Sequence, residues 1–248
     1  KDGSMDADFS KAFHQSSKNR AKGHPPIPEN LEDWPEDWKS CSYKIYPRFP
    51  KIQLQDVKPQ ADFFDLILKR SSGHEYDKQP ISLREISTLL QYSCGVTHLA
   101  NNGMFRRAQP SAGGLFPIEV YLLVISGDDL PSGLYHYNVQ NHQLDILWSR
   151  TLDYEFIKGL FPSDWVRNAS SIVILTAVFG RSQIKYGERG YRYILLEAGH
   201  IGQNIYLNAE ALNLQCCALG FTEDTKIDSL LEIDGVTESI VYAIAIGK

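Results

Sequence analysis

The chain has 248 residues, of which 43% are hydrophobic and 11% aromatic, so it can bury a substantial core as one large or two small domains. Its formal net charge of −5 and the lack of long like-charge runs argue against a nucleic-acid-binding surface. No apolar run is long enough to span a bilayer, and the N-terminal residues do not resemble a signal peptide. The composition therefore predicts a soluble, cytoplasmic protein without membrane contact.

Residues 1–60 are rich in proline, tryptophan and charge. Residues 1–4 look like a cloning remnant and are left out of the predicted fold. Prolines at positions 25, 26, 28, 35, 47 and 50 interrupt any long regular element, which predicts an extended arm. Large aromatic side chains, among them Trp34 and Trp38, are expected to anchor the arm along the body formed by residues 61–248. No linker divides that body, so a single domain is predicted overall.

Helices are predicted at the start of the body. Residues 62–69 have the pattern of a short amphipathic helix. Ser82 and Glu85 have the spacing of a capping box, which predicts a second helix that ends at Gly95. A turn is predicted at residues 101–103.

A shaped loop is predicted at residues 106–117, because two prolines and two adjacent glycines exclude a regular element there. The remaining predicted elements are strand 118–125, a hairpin of strands 134–139 and 143–148, helix 153–161, strand 171–179, strand 215–219, helix 224–231 and strand 239–246. Strands and helices over one continuous core predict an α+β fold with a mixed or antiparallel sheet.

The organising element of the chain is a long helix predicted from Tyr191 to Leu212. Apolar or small residues recur there at steps of three and four around most of the circumference, which predicts a helix buried on all sides. His200 is accordingly expected to be a hydrogen-bonded core histidine. Residues 185–192 gather titratable side chains at the helix N-terminus, where the helix dipole favours anions.

Two loops have side chains or exposed backbone that could bind a ligand. Arg70, Ser71 and Ser72 offer a permanent cation and two hydroxyl groups to a phosphate, although such a triplet is more often a solvated loop. Residues 110–114 form a glycine-containing loop that would let the backbone approach a flat ligand, although a tight structural turn is the commoner reason for this pattern.

An amine and a phenol are adjacent at Lys185 and Tyr186. Arg181, Arg189 and Arg192 are near in sequence, and their positive field is expected to lower both pKa values toward that of a working base. The alternative is a surface lysine beside a half-buried tyrosine.

Familiar signatures of other enzyme classes are missing, which argues against Rossmann dehydrogenases, P-loop NTPases, zincins and α/β-hydrolases. The four cysteines form no CxxC pair and have no histidine at zinc-ligand spacing, so they are expected to be reduced and no metal site is predicted. A hydrolase that uses Ser111 lacks a nucleophile elbow and is the weakest alternative.

Several motifs occur together in this chain. They are RSSGHEY at 70–76, RRAQPSAGGLFPIEVYLLV at 106–124, GLYHYN at 133–138, KYGERGYRYILLEAGHIGQNIYL at 185–207 and ALGF followed by LLEIDGVTESIVYAIAIG near the C-terminus. This set resembles the nitroreductase superfamily, and more narrowly the SagB-type, thiazole- and oxazole-forming dehydrogenases. The resemblance implies a nitroreductase α+β fold that binds FMN at the interface of a homodimer.

The same resemblance implies a function and its alternatives. The implied reaction is dehydrogenation of azoline rings in a peptide or carrier-bound substrate, with a cyclodehydratase as a candidate partner. One alternative is a general reductase that passes hydride from NAD(P)H through FMN to a nitroaromatic or quinone. Another is a non-catalytic subunit of a peptide-modifying complex.

Site residues also follow from the resemblance. Lys185 and Tyr186 fall at the pair implicated in azoline oxidation. The implied cofactor-binding residues are Arg70, Ser71, Ser72, His74, Pro110, Ser111, Ala112, Gly113, Gly114, Gly220 and Phe221. Of these, Arg70 and Ser72 would hold the phosphate and ribityl end, and residues 110–114 would lie against the isoalloxazine, across the dimer. Relatives commonly have further arginines where this chain has Ser71 and His74, so Lys248 or Arg107 is the candidate for the missing charge.

Overall fold

The computed structural model describes residues 9–18, 28, 30–39, 43–100 and 104–248. The turn predicted at residues 101–103 and Cys41 therefore lie outside the described residues.

The described elements confirm the predicted α+β class. The helices are α1 Phe9–Ser16, α2 Glu36–Lys39, α3 Phe63–Lys69, α4 Leu83–Cys94, α5 Tyr154–Leu160, α6 Phe179–Tyr186, α7 Arg189–Ala211 and α8 Asp224–Leu230. The strands are β1 Lys51–Gln53, β2 Val96–Leu99, β3 Phe105–Arg107, β4 Ile118–Val124, β5 Gly133–Asn138, β6 Gln143–Ser149, β7 Ser171–Val178, β8 Gln215–Ala218 and β9 Glu238–Gly247. Short 3-10 turns occur at Leu31–Asp33, Ala112–Gly114 and Asp164–Asn168.

Seven strands form one sheet in the order β1-β6-β5-β4-β7-β9-β8, and each neighbouring pair is antiparallel. Every residue of β4 is buried, because helices cover both faces of the sheet at its centre. One core layer includes apolar side chains of α4 and α7, and the other those of α5 and α8. The sheet is thus the antiparallel one of the two predicted alternatives.

Local capping signals position the helices as the sequence predicts. The side chain of Asp62 accepts hydrogen bonds from backbone N–H groups in the first turn of α3. Ser82 and Glu85 form the reciprocal capping box of α4, whose last residue precedes Gly95. These bonds satisfy N–H groups that have no partner inside the helix, so both helices begin where the sequence predicts.

The N-terminal arm was predicted to be extended, and this is wrong for parts of it. Helices α1 and α2 lie in it, because the proline-free stretches of the described arm are long enough for one or two helical turns. Strand β1 pairs with β6 and forms one edge of the sheet, so the end of the arm is part of the body's sheet. The division at residue 60 stays a prediction.

The loop predicted at residues 106–117 is partly regular. Arg106 and Arg107 belong to β3, which pairs with β2 in a small separate sheet. This pairing is possible because both prolines of the segment, Pro110 and Pro117, come after the strand.

The long helix differs from the prediction in two ways. Gly187, with φ 54°, interrupts the chain between α6 and α7, so Lys185 and Tyr186 end α6 instead of leading into α7. In addition, α7 buries only one side. Leu195 and Leu196 are 40% and 54% exposed, and His200 is exposed where a core histidine was predicted, because they lie on the side away from the sheet.

Among the described helices, none combines the length and apolar character that a membrane span requires. Cys94, Cys216 and Cys217 are free thiols, and burial raises the pKa of Cys94 to about 12. Burial also raises the pKa of Cys217, so these thiols have little thiolate character.

Candidate active site

Lys185 and Tyr186 lie beside the glycine loop (residues 110–114). The Lys185 side chain is buried in the last turn of α6, and the ring of Tyr186 meets Tyr193 of α7 edge-on at 5.0 Å. A Cβ atom built on Gly113 would lie 2.7 Å from Tyr186 Oη and 3.1 Å from Lys185 Nζ. The structure therefore brings an amine, a phenol and a bare stretch of backbone to one place.

Burial shifts the pKa values of the amine and the phenol in opposite senses. Desolvation lowers the pKa of Lys185 to about 8. Desolvation, followed by the neighbouring Tyr193, raises the pKa of Tyr186. The predicted fall in the pKa of Lys185 is confirmed, but its cause is desolvation and not the neighbouring arginines. The predicted fall in the pKa of Tyr186 is wrong, because burial raises it.

Two tryptophans of the arm cover the amine of Lys185. Its Nζ lies 2.9 Å from the ring centroid of Trp34 and 5.5 Å from that of Trp38. The indole N–H of Trp34 donates to the carbonyl of Pro28 at 2.8 Å, which orients the ring. The arm thus supplies the surface that excludes water from this amine.

A buried carboxylate on α7 holds the glycine loop. Ser111 Oγ donates to Glu197 Oε2 at 2.5 Å and accepts from the backbone N–H of Phe116 at 2.9 Å. Gln109 Nε2 donates to the other carboxylate oxygen at 3.3 Å. Glu197 is only 2% exposed, and desolvation raises its pKa to about 7 against the opposing hydrogen bonds of Ser111 and Gln109. The first part of the loop is therefore tied to the centre of the long helix, and Ser111 links it to Phe116 beyond the loop's other end.

A chain of buried charges supports the same loop from the sheet side. Arg181 donates to the carbonyl of Phe116 and pairs with Glu119. Glu119 in turn bonds one nitrogen of His136, and Asp145 bonds the other. Burial alone would lower the pKa of His136, but these hydrogen bonds raise it. The ion pairs and hydrogen bonds therefore offset the cost of burying the charged groups.

The glycine loop borders a surface crevice of about 510 Å³ whose other walls include Thr97, His98 and Arg106. Such a volume is typical of small-molecule sites. Gly113 and Gly114 have φ values of 66° and 68°, so a side chain at either position would be strained. Of the two glycines, only Gly114 lines the crevice. A flat cofactor fits this lining, because Gly114 leaves the backbone bare and Arg106 offers a cation.

The predicted phosphate-binding residues lie further along α7. The guanidinium of Arg70 lies 5.4 Å from the ring centroid of Tyr206, whose hydroxyl is 3.1 Å from Ser72 Oγ. Nine positions separate Tyr206 from Glu197 on this helix, which corresponds to about 14 Å along its axis. Within one chain, the two halves of the predicted cofactor site are therefore separate groups.

The other predicted cofactor-binding residues are dispersed. Ser71 is exposed, and the ring of His74 packs against Trp165 at 5.1 Å. Gly220 and Phe221 follow β8 on the surface, with Phe221 65% exposed.

Lys248 and Arg107 were the two candidates for an additional positive charge at the cofactor phosphate, and both are already engaged within the chain. Lys248 pairs with Glu85 at 3.0 Å. The guanidinium of Arg107 is buried, 4.5 Å from the ring centroid of Phe116 and 5.2 Å from that of Tyr43.

Sequence reasoning missed several residues of this region. Trp34 and Trp38 were treated as general anchors of the arm, with no signal for what they cover. Glu197 had a signal: it is a charged residue three positions after Ile194 and four before Ile201, on the buried stripe of α7. A carboxylate in such a position needs a hydrogen-bonding partner, which Ser111 provides.

Comparison with known proteins gives three relatives of similar sequence. Residues 67–248 match the sequence profile of the nitroreductase family. The chain is 32% identical over 183 residues to a Methanocaldococcus jannaschii protein named as a candidate nitroreductase, covering 74% of this chain and 90% of that protein. It is 30% identical to the trifolitoxin-processing protein TfxB of Rhizobium leguminosarum bv. trifolii, covering 80% of this chain and 57% of that protein. It is 25% identical to the microcin B17-processing protein McbC of Escherichia coli, covering 69% and 68%.

Solved structures share the fold. A nitroreductase-like protein of Anabaena variabilis has a TM-score of 0.70 at 26% identity over 96% of this chain, which spans only 46% of that chain. A chain of the Escherichia coli microcin synthetase McbBCD complex, with truncated pro-MccB17 bound, has a TM-score of 0.62 at 20% identity, covering 97% and 91%. A Desulfovibrio desulfuricans protein in complex with FMN has a TM-score of 0.51 at 16% identity, covering 76% and 86%.

Proposed function

Because the chain belongs to the nitroreductase family of oxidoreductases, we propose that it is an FMN-dependent dehydrogenase that converts thiazoline or oxazoline rings of a peptide into thiazole or oxazole rings. Two relatives, named for the processing of trifolitoxin and of microcin B17, support this substrate class. The observation that carries the proposal is the convergence of Lys185 Nζ and Tyr186 Oη on the backbone of Gly113.

Lys185 is suited to act as the base. Azole formation removes a proton from the ring carbon next to a carbonyl, together with a hydride, and aromaticity drives the step. An amine with a pKa of about 8 is partly neutral near neutral pH, so it can accept that proton. The buried position of the amine also limits competition by water.

Tyr186 has a different role from the one the sequence predicts. Because burial raises its pKa, the phenol keeps its proton and is a hydrogen-bond donor at working pH. We assign it to the substrate's carbonyl oxygen, where a donor stabilises the charge that develops as the proton leaves.

FMN is the proposed cofactor. When bound, FMN supplies the two-electron acceptor for the hydride that leaves the azoline ring. Ser111, Gly113 and Gly114 would lie against its ring system, and Arg70 and Ser72 would hold its phosphate end. Ser71, His74, Gly220 and Phe221 stay predictions for this site. The FMN complex of the Desulfovibrio desulfuricans protein supports the choice of flavin.

A second copy of the chain would unite the two halves of the site, so we propose a homodimer. Four large apolar side chains of α3 are exposed: Phe63 by 58%, Phe64 by 74%, Ile67 by 45% and Leu68 by 83%. Leu195 and Leu196 of α7 are also exposed. The neighbouring apolar side chains of α3 form the kind of surface patch that usually marks an interface. Sedimentation velocity should show a dimer, and Leu68→Glu should weaken it.

The proposed substrate also implies a partner. Azoline rings form when a cyclodehydratase condenses cysteine, serine or threonine side chains with the preceding peptide carbonyl. The likeness in fold to a chain of the microcin synthetase complex supports a role beside such an enzyme. We propose that the substrate arrives as a peptide, free or carried by another domain.

Paired variants test the proposed function. The Lys185→Ala, Tyr186→Phe double variant should retain flavin, seen in its visible spectrum, but should form no azole from an azoline-bearing peptide. Lys226→Ala is a matched control, because Lys226 is a surface lysine of α8. Full azole formation by the double variant would refute the assignment of this pair.

A second candidate function follows from the Methanocaldococcus jannaschii relative, which is named as a candidate nitroreductase and is covered over 90% of its length. It is an NAD(P)H-dependent reductase of nitroaromatics or quinones. Rapid bleaching of the bound flavin by NAD(P)H, with no reaction toward azolines, would favour this candidate.

A further inference from the structure

The amine of Lys185 points into the face of an aromatic ring from the arm. The distance of 2.9 Å between Nζ and the centroid of Trp34 leaves no room for another atom between them. A base must come within about 3–3.5 Å of the atom it deprotonates, along an open approach. In this arrangement the indole occupies the place where a substrate ring would have to lie.

The segment that carries this indole is weakly attached to the body. In the described part of the chain, the hydrogen bonds of residues 28 and 30–39 join atoms within that same stretch. Helix α2 has no buried residue, and Trp34 itself is only half-buried. Segments with few buried contacts open at a small free-energy cost. Trp34 can therefore leave Lys185, and a different group can contact the amine, without unfolding of the body.

We propose that Trp34 is a displaceable cover of Lys185, and that the planar ring of the substrate takes the place of the indole. The inference rests on the proposed function, since it assigns the amine a substrate. The indole and an azoline are both nearly flat and both include a five-membered heterocycle, so the substrate ring can replace the indole over the amine. Trp34 then selects planar rings, because only a flat group fits the space that it leaves.

The cover has a measurable effect on binding. A substrate that must displace the indole binds only to the uncovered fraction of the protein, and its apparent affinity falls by that fraction. If the cover is closed nine-tenths of the time, its removal should lower KM by about tenfold. A wall of the substrate site would behave in the opposite way, since its removal would raise KM.

Chemical labelling tests the cover without any enzymatic activity. The flavin-loaded protein is treated with limiting acetic anhydride, and mass spectrometry of its peptides gives the labelling rate of Lys185 relative to the exposed Lys226. The ratio should rise by about tenfold in Trp34→Ala. It should stay near the wild-type ratio in Trp34→Phe, which keeps an aromatic face. Trp38→Ala is the matched control and should change it less, because Trp38 is 5.5 Å from the amine.

The possible results distinguish a failure of the proposed cover from a failure of the proposed function. An unchanged labelling ratio in Trp34→Ala, or a raised KM for an azoline peptide, overturns the cover. If the labelling follows the expected order but wild-type protein oxidises no azoline, the proposed function fails and the cover stands. The KM for an azoline peptide is the second measurement, because poor folding of Trp34→Ala would not lower KM, whereas loss of the cover should.

Discussion

Replacing Glu197 with glutamine should change how the stability of the protein depends on pH. Burial raises the pKa of this carboxyl group to about 7, from an ordinary value of 4.5. Since the folded state holds the proton more tightly than the unfolded state, this group's contribution is fully present below pH 4.5 and is lost as the pH rises through 7. The loss amounts to about 3 kcal/mol for a shift of this size. Glutamine has the same shape but no proton to lose, so the variant should not show this loss of stability as the pH rises.

Urea denaturation at pH 5, 6, 7 and 8 measures this effect. The free energy of unfolding of the wild type should fall relative to that of Glu197→Gln across this range, with most of the change below pH 7.5. Glu210→Gln, the same substitution elsewhere on α7, is the matched control for general effects of charge removal. Parallel pH profiles for the wild type and Glu197→Gln would refute the claim that a buried, protonatable carboxyl group holds the glycine loop.

Three further predictions concern the loop and its supports. Glu119→Gln leaves Arg181 and His136 without their shared buried partner, so the free energy of unfolding measured in urea should fall by about 3–5 kcal/mol; a loss below 1 kcal/mol would contradict the network. Gly113→Ala places a Cβ atom 2.7 Å from Tyr186 Oη at a φ of 66°, so fluorescence titration should show weaker flavin binding; unchanged affinity would place the flavin elsewhere. The rate of azole formation at low substrate should rise with pH through about 8 as Lys185 loses its proton, and a flat profile between pH 6 and 9 would exclude the amine as the base.

The fold was largely predictable because its signals are local. The capping box of Ser82 and Glu85, the hairpin around His142 and the apolar strands all depend on residues close in sequence. The burial of α7 was overestimated for a physical reason: periodicity shows which residues are apolar, but not whether they face the core or an exposed surface. Leu195 and Leu196 belong to the second case.

The candidate site was harder to predict because its contacts join distant parts of the chain. The motif that includes Lys185 and Tyr186 carried the resemblance, and the structure places this pair beside Gly113. The direction of the Tyr186 pKa shift could not be predicted from neighbouring arginines, since burial is a property of the folded chain. Trp34 over Lys185 could not be predicted either, because no sequence pattern links the arm to α6.

Anaerobic mixing of the flavin-loaded protein with an azoline-bearing peptide, without any nicotinamide, shows whether the peptide itself reduces the flavin. We expect the visible absorbance of the flavin to bleach in a single turnover, with one azole formed for each flavin reduced. A flavin that bleaches with NAD(P)H but stays yellow with the azoline peptide would contradict the proposed dehydrogenase.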